Sequence, residues 1–225
     1  VNFNDDILAL KKDWFRHLMH AYQQRFGLPY ECNAKFDLMD EEIIRIFKET
    51  GCQRLSFGLE SGSEYIRNKI MRRNMKRDDM IRTARLCKQA GIRVFTYNMV
   101  GIPEERLTDI LDTVKLNADI EPEDIHVSIF SPYHGTALYD TCIKEKYIQT
   151  NDFIRTSYFE QPILKLKNIK PRQIQFAVEH FGSFKRYYIK IKKLPAFFRI
   201  IAGKMLDILW LHGSIYLFLR KILKI

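Results

Sequence analysis

The chain is poor in the features that settle many functions outright. Its 225 residues hold four cysteines, Cys32, Cys52, Cys87 and Cys142. No two of them have CxxC or zinc-finger spacing, which argues against a disulfide framework or a zinc ribbon and for reduced thiols in a cytosolic protein. No charged start with a short apolar run behind it marks a secretory signal. No low-complexity tract is present, so the chain reads as globular. No GxGxxG follows the first strand-like segment, which leaves a dinucleotide fold with little support. The longest apolar stretch, 205–219, is about 15 residues and contains Asp207 and His212, short of the ~20 that a membrane-spanning helix needs. Acid is nearly missing from one region. From residue 182 onward there are ten lysines and arginines and a single acid, Asp207, so about +9 of the net +10 lies there. Such a tail favours anionic partners by Coulomb attraction.

What is present suits one sizeable core with an appended subdomain: 46% of residues are hydrophobic and 28% charged. Periodicity predicts a helix over 7–26, with Leu10, Trp14, Leu18 and Tyr22 at steps of four, ended by Gly27 and Pro29. A strand is expected over 30–36. Asp40 reads as an N-cap, with Glu41 and Glu42 in the favoured first turn. Ile43, Ile44 and Phe47 form a buried stripe, and Gly51 ends that helix. Strands follow over 55–59, 94–100 and 125–130, and helices over 65–71, 78–89 and 108–119. This β-α alternation, repeated about five times, means a parallel sheet flanked by helices. The strands read as apolar at nearly every position, as when both faces are covered. A curled barrel is preferred to a flat sheet.

After Tyr147 the pattern changes. Residues 148–170 are irregular, with Pro162 among them. A helix is expected over 171–184, with Pro171 in its first turn. A strongly apolar helical region, interrupted by Gly203 and Gly213, follows over 197–225. The division is therefore 1–147 and 148–225.

The chemistry-bearing segments are strand exits, which at one rim of a parallel barrel converge on a pocket. In FGLESGS, Glu60 and Ser61 lie just past a strand end. A carboxylate there accepts from a hydroxyl pair or an ammonium group, as in a ribose or an amino-acid moiety. The plainer alternative is that Glu60 caps the next helix. Gly58 and Gly62 would let the backbone approach a ligand. In IMRRNMKRDDM one arginine can reach the rim and bind a carboxylate bidentately. In YNMVGIPEE, Met99 suits a planar base, Gly101 gives a tight exit and Glu104 can tie the turn down. SPYHGTALYD ends another strand with Pro132, Gly135 and Thr136. His126 and His134 lack a second ligand at zinc-type spacing.

Taken in order, VNFNDD, FGLESGS with the following Met71 and Arg73, the glycine-ended helices, MVGIPEE and SPYHGTALYD resemble the radical S-adenosylmethionine (SAM) superfamily. More narrowly they resemble its cobalamin-binding subgroup of methylases and cyclases. The resemblance covers about residues 1–147. It implies an α/β fold, a partial parallel (β/α)6 TIM-like barrel lacking its first strand, of which 1–147 would be the C-terminal five β/α units. A basic, apolar helical subdomain would follow over 148–225. The implied cofactors are SAM, a [4Fe–4S] cluster and, through a further domain, cobalamin. The implied activity is reductive cleavage of SAM followed by radical methylation or rearrangement of a small-molecule or lipid-like substrate, with a reductant protein as partner.

The resemblance also suggests roles. Glu60 and Ser61 would lie near the ribose and amino-acid part of SAM, and Arg73 at its carboxylate. Met99 and Gly101 would lie along the adenine, with Glu104 shaping the turn. The backbone from Phe130 to Pro132 would face the adenine edge. Asp5 and Asp6 occupy the position that contacts the methionyl amine. The departures are specific. The cluster motif CxxxCxxC does not occur and is expected upstream of Val1, so metal ligands are expected to be absent and this fragment inactive. GxIxGxxE survives only as Tyr97, Met99, Gly101 and Glu104. Lys35 stands where an arginine is frequent. For the tail over 182–225, packing on the barrel competes with an interfacial helix at a membrane surface, in a cytoplasmic or peripheral protein. Its aromatics alternate with aliphatics, which disfavours nucleic acid. The alternative from another class is a non-catalytic barrel remnant whose tail binds a membrane or a protein. A plain phosphate-binding barrel comes third.

Overall fold

The computed structural model describes residues 1–148 and 164–223. Five strands form one sheet in the order β1-β2-β3-β4-β5: β1 Asn2–Phe3, β2 Tyr30–Ala34, β3 Cys52–Glu60, β4 Arg93–Val100 and β5 Asp124–Ile129. Strands β1, β2 and β3 pair in parallel, with Phe3 opposite Cys32 and Cys32 opposite Leu55. Between β4 and β5 the N–H of Glu123 donates to Val94 and that of Phe130 to Val100. The near-constant offset in numbering along the two strands is the mark of parallel pairing. Sequential order without reversal is that of a barrel wall; a doubly wound sheet reverses at a switch point.

Helices α1 Lys12–Arg25, α2 Glu41–Glu49, α3 Arg77–Ala90 and α4 Leu107–Ile120 connect the strands. Asp40 caps α2 by accepting from the Ile43 N–H at 2.9 Å, and Ile43, Ile44, Ile46 and Phe47 are buried beneath it. Helix α1 departs from expectation. It starts at Lys12, and Leu10 and Trp14 are exposed while Phe15 and Met19 are buried. Phe15 packs on Phe47 with ring centroids 4.7 Å apart. The step of four was right, but it was anchored one residue off the buried face. Strand β2 ends at Ala34, and Phe36 enters a 3₁₀ turn and stacks on Phe57 at 4.2 Å.

Strand β4 is not apolar throughout. It alternates, and Thr96 and Asn98 are fully buried. The Asn98 amide donates to the Thr96 backbone and hydroxyl and to the His126 carbonyl, so these polar groups are satisfied inside the sheet.

Helix α5, Ala137–Lys144, follows β5 and had no counterpart in the sequence reading; Thr136 caps it through the Tyr139 N–H. Helix α6, Pro171–Ile191, runs seven residues past its expected end. Helix α7, Ala196–Leu211, passes through Gly203 unbroken, and the chain breaks at His212 before α8, Gly213–Leu223. Of the segment expected to be irregular, the part that includes Pro162 lies outside the described residues.

The described chain divides into two compact units that interleave in sequence. One comprises 1–59, 74–98 and 120–126, and the other 60–73, 99–119 and 127–225. The first has its core around Phe15, Phe36, Phe47 and Phe57. The second has one cluster built on Ile66, Ile102, Phe130, Tyr139 and Cys142. A second set of rings there joins Phe176 and Phe184 of α6 to Trp210 and Tyr216.

Candidate functional site

Eight of the ten sequence-derived candidates fall in the second unit, seven of them at or just past strand ends and Arg73 thirteen residues beyond β3. Glu60 closes β3 with φ +66°, a left-handed conformation that a non-glycine residue rarely adopts. Its carboxylate accepts from Arg73 Nη2 at 2.5 Å. The Glu60 side chain is 12% exposed and that of Arg73 39%. Burial raises the Glu60 pKa, and the Arg73 charge opposes that rise. Glu60 does not cap the helix that follows, which begins after Glu64 and has no side-chain cap.

The segment between the two partners explains their meeting. Tyr65–Ile70 is a π-helical turn, closed by the Met71 N–H donating five residues back to Ile66. The extra residue in that turn shifts the face that follows. Arg72 and Asn74, on either side of Arg73, both have positive φ. Such conformations cost of order 1 kcal/mol or more for a non-glycine residue and gather at ligand sites and switches. Arg67, in the same turn, is fully buried, and its Nη1 donates to the Ser61 carbonyl at 2.8 Å. A buried guanidinium was not anticipated; Arg67 lies three residues before the cationic string IMRRNMKRDDM, in a segment read as a plain short helix.

Ser61 is fully buried, and its hydroxyl accepts from the Ser63 N–H at 3.3 Å. Gly62 is small for a different reason from the one expected. A Cβ there would lie 2.3 Å from the Asp112 carbonyl oxygen and 2.5 Å from Thr113 Cα. Its N–H donates to Thr113 Oγ1 at 2.8 Å. The backbone thus approaches helix α4, not a ligand. Ser63 Oγ donates to Asp109 Oδ1 at 2.9 Å, which fastens the same turn to α4.

At the exit of β4, Met99 packs on the apolar cluster that holds Phe130, Ile66 and Ile102. Gly101 has φ +79° and donates its N–H to Glu105 Oε2 at 2.6 Å; the Ile102 N–H donates to the same oxygen at 3.2 Å. A Cβ on Gly101 would lie 3.2 Å from Ile174 Cδ1. Glu104, with φ +67°, accepts from the Tyr65 hydroxyl at 2.5 Å, and its carbonyl accepts from the Asn168 amide. Glu105 went unrecognised in the sequence, although a carboxylate four residues after Gly101 is the signal. It is wholly buried, and burial pushes its pKa up to about 8. Past β5, Pro132 is buried beside Ser131.

Asp5 and Asp6 belong to the first unit. The Asp5 carbonyl accepts from the Asn33 amide at 3.3 Å, and Asp5 lines a small cavity with Lys11 and Trp14. Lys35 pairs with Asp37 at 2.8 Å.

Two implied cofactors can be tested against these residues. SAM has a carboxylate, an ammonium group and ribose hydroxyls. Arg73 Nε is buried without a partner; with the Glu60 carboxylate it pairs with, it offers a donor and an acceptor of the kind such a ligand needs. The Ser131 hydroxyl is also buried without a partner. The cluster finds no such match. All four cysteines are buried and free, and burial raises Cys87 to about 12 and Cys142 to about 11. Cluster ligation needs thiolates, and among the described residues no three Cys, His, Asp or Glu side chains converge.

Comparison with known proteins agrees with the fold. Residues 5–116 match the Radical SAM superfamily. An uncharacterized methyltransferase of Pyrococcus horikoshii is 22% identical over 195 residues, covering 86% of this chain and 42% of that protein. Cytidylyl-2-hydroxyethylphosphonate methyltransferase of Streptomyces wedmorensis is 23% identical over 179 residues, 75% of this chain and 33% of its own. The chain therefore spans less than half the length of these curated relatives. Among solved structures, the radical SAM methyltransferase TsrM of Kitasatospora setae, with cobalamin and a [4Fe–4S] cluster bound, superposes with a TM-score of 0.57 at 15% identity over 64% of this chain and 28% of that one. Methylornithine synthase superposes with a TM-score of 0.54 at 17% identity over 80% of this chain and 47% of that one. With a five-stranded partial barrel and the family match over residues 5–116, this chain belongs to the radical SAM superfamily.

Proposed function

We propose that this chain is the SAM-binding part of a radical SAM enzyme of the cobalamin-binding type, acting on a small-molecule or lipid-like substrate. The observation that carries the reading is the Glu60–Arg73 pair at the end of β3, held by three left-handed non-glycine residues. In this reading Arg73 exchanges Glu60 for the SAM carboxylate, and its free Nε supplies a second parallel bond. Glu60, released, accepts from the ribose hydroxyls or the ammonium group, and Ser61 keeps the turn closed beneath it. Met99 and the Phe130–Pro132 backbone flank the adenine, while Gly101 and Glu104 shape that wall. When bound beside a reduced cluster, SAM supplies hydrogen abstraction or methyl transfer. The cysteines of this chain do not suit a cluster. Its ligands are proposed to lie in a CxxxCxxC segment outside residues 1–225, and cobalamin in a further domain.

Residues 1–147 would form the barrel portion, and 148–225 an appended basic region in a cytoplasmic protein peripheral to the membrane. A reductant protein would serve the cluster. Calorimetric titration of the chain with SAM, for the parent and for Arg73→Ala and Glu60→Gln, tests the site. Binding lost in both variants supports the reading, and binding unchanged in both overturns it. In a longer protein carrying the cysteine motif, anaerobic reconstitution followed by assay for 5′-deoxyadenosine tests the chemistry.

A further inference from the structure

Helix α7 is built the wrong way round for an ordinary surface helix. Its packed side holds Trp210, fully buried against Phe176 and Phe184, with Trp210 Nε1 donating to the Leu107 carbonyl at 3.1 Å. The opposite side holds Phe197, Phe198, Ile201, Met205 and Ile208, all exposed. At about 100° per residue these side chains, with Ile200 and Leu211, cover roughly 160° of the helix, a sector in which Lys204 is the one charged residue. Helix α8 repeats the pattern: Tyr216 is buried, while Ile215, Phe218 and Ile222 are exposed on the other side. Large exposed apolar patches mark interaction surfaces.

The charge around this face selects the partner. Lys204 on α7 and Lys221 on α8 stand exposed. The one acid, Asp207, is already taken by Lys115 at 2.8 Å and by the Tyr188 hydroxyl at 2.5 Å. A protein face complementary to this one would need many acids around an apolar centre, whereas an anionic leaflet offers both together. The elbow between the helices adds a cavity of about 410 Å³, in which Arg172 stands among Phe176, Leu211 and Leu217. A cation over an apolar lining is the chemistry that receives a lipid phosphate above its chain.

Neither helix is long enough to span a bilayer by itself. At ~1.5 Å per residue the 16 residues of α7 reach about 24 Å and the 11 of α8 about 17 Å, against a hydrocarbon core of about 30 Å. No single described helix is long and apolar enough to cross, and the two together are bent by 106°. We infer that α7 and α8 lie in the plane of an anionic lipid surface, with Phe197, Phe198, Ile201, Met205, Phe218 and Ile222 in the acyl boundary and the lysines and arginines at the phosphates. This deepens the peripheral part of the reading above and rests on it, and it needs neither SAM nor a cluster. Because Trp210 and Tyr216 already fix both helices, the surface is formed before it meets lipid, and no ordering cost falls on binding.

Co-sedimentation of the cofactor-free chain with phosphatidylcholine vesicles, with and without phosphatidylglycerol, tests the inference. Expected are pelleting with the anionic vesicles at low salt, a loss of about tenfold or more in Lys204→Glu/Lys221→Glu or at high salt, and a similar loss in Phe198→Ser/Ile201→Ser. These side chains are exposed, so unchanged circular dichroism and melting should accompany both losses. A chain that stays in the supernatant with anionic vesicles overturns the inference. So does one that pellets equally with and without Phe198 and Ile201, or a dimer in light scattering that the serine substitutions dissociate. Vesicle binding without SAM binding keeps this surface and removes the catalytic reading; SAM binding without vesicle binding does the reverse.

Discussion

Arg73 reaches back thirteen residues to hold the Glu60 carboxylate at 2.5 Å, across a π-helical turn that places it there. The pair leaves one guanidinium nitrogen, Arg73 Nε, buried and unpartnered. An arginine half engaged by a carboxylate is poised to exchange partners, because a second carboxylate gains two bonds where Glu60 makes one.

Replacing Arg73 with alanine should therefore do two things. It should weaken SAM binding by about tenfold or more in calorimetry. It should also raise the Glu60 pKa further, since burial already outweighs the arginine there. Carbon-13 NMR of labelled glutamate side chains reads that shift directly. A Glu60 resonance that does not move would refute the coupling.

Glu105 governs a pH response. Its ordinary pKa of 4.5 rises to about 8 in the fold because the carboxyl is fully buried. Its Oε1 has no partner. The folded state thus holds a proton that the unfolded state releases, and stability falls with rising pH between about 4.5 and 8. It is greatest below that window and lost through its upper end. In Glu105→Gln, whose amide oxygen can still accept from Gly101 and Ile102, the slope of urea stability against pH should flatten across this range. Glu105→Ala should cost about 1–3 kcal/mol at pH 6, because two buried N–H groups lose their acceptor.

Gly62→Ala should destabilise the chain by about 1–3 kcal/mol or more, since the new methyl would press on the backbone of α4 at 2.3 Å. Gly91→Ala is the matched control. A Cβ at Gly91 meets nothing within 4 Å, though φ is +75°, and the backbone strain alone should cost about 1 kcal/mol. Chemical denaturation of the two variants separates collision from strain.

Trp210→Ala should cost about 3–5 kcal/mol in denaturant unfolding, as for other large buried rings. The loss includes the bond to the Leu107 carbonyl. Trp210→Phe should recover most of the packing and leave that carbonyl unpaired, at a cost of about 1 kcal/mol relative to the parent.

Much of the fold could be read directly from residues. Asp40, Glu41 and Glu42 announced the start of α2, and Gly51, at positive φ, announced its end. These signals are local: a cap needs one side chain and one turn. The buried face of α1 was not readable, because Leu10 and Phe15 are equally apolar and only the sheet decides which turns inward. The strand holding Thr96 and Asn98 was read as apolar almost throughout, yet these two polar side chains are fully buried and bonded to each other. At the site, Glu60 and Arg73 were named as separate ligand contacts, and the structure makes them partners. The π-helical turn that joins them leaves no mark in composition or period. Glu105 was passed over for Glu104 because two adjacent acids are equivalent on paper; the positive φ at Glu104 turns one outward to Tyr65 and the other inward to Gly101.

The alternation of strands and helices from β1 to β5, the Asp40 cap and the basic, acid-poor tail were determined by the sequence alone, since each depends on residues close together along the chain. The tertiary structure alone decided which side of α7 is packed, whether Gly62 meets a ligand or a helix, and which glutamate is buried to a pKa of about 8. Those outcomes depend on what lies within a few ångströms in space, and residues fifty or a hundred positions apart supply it.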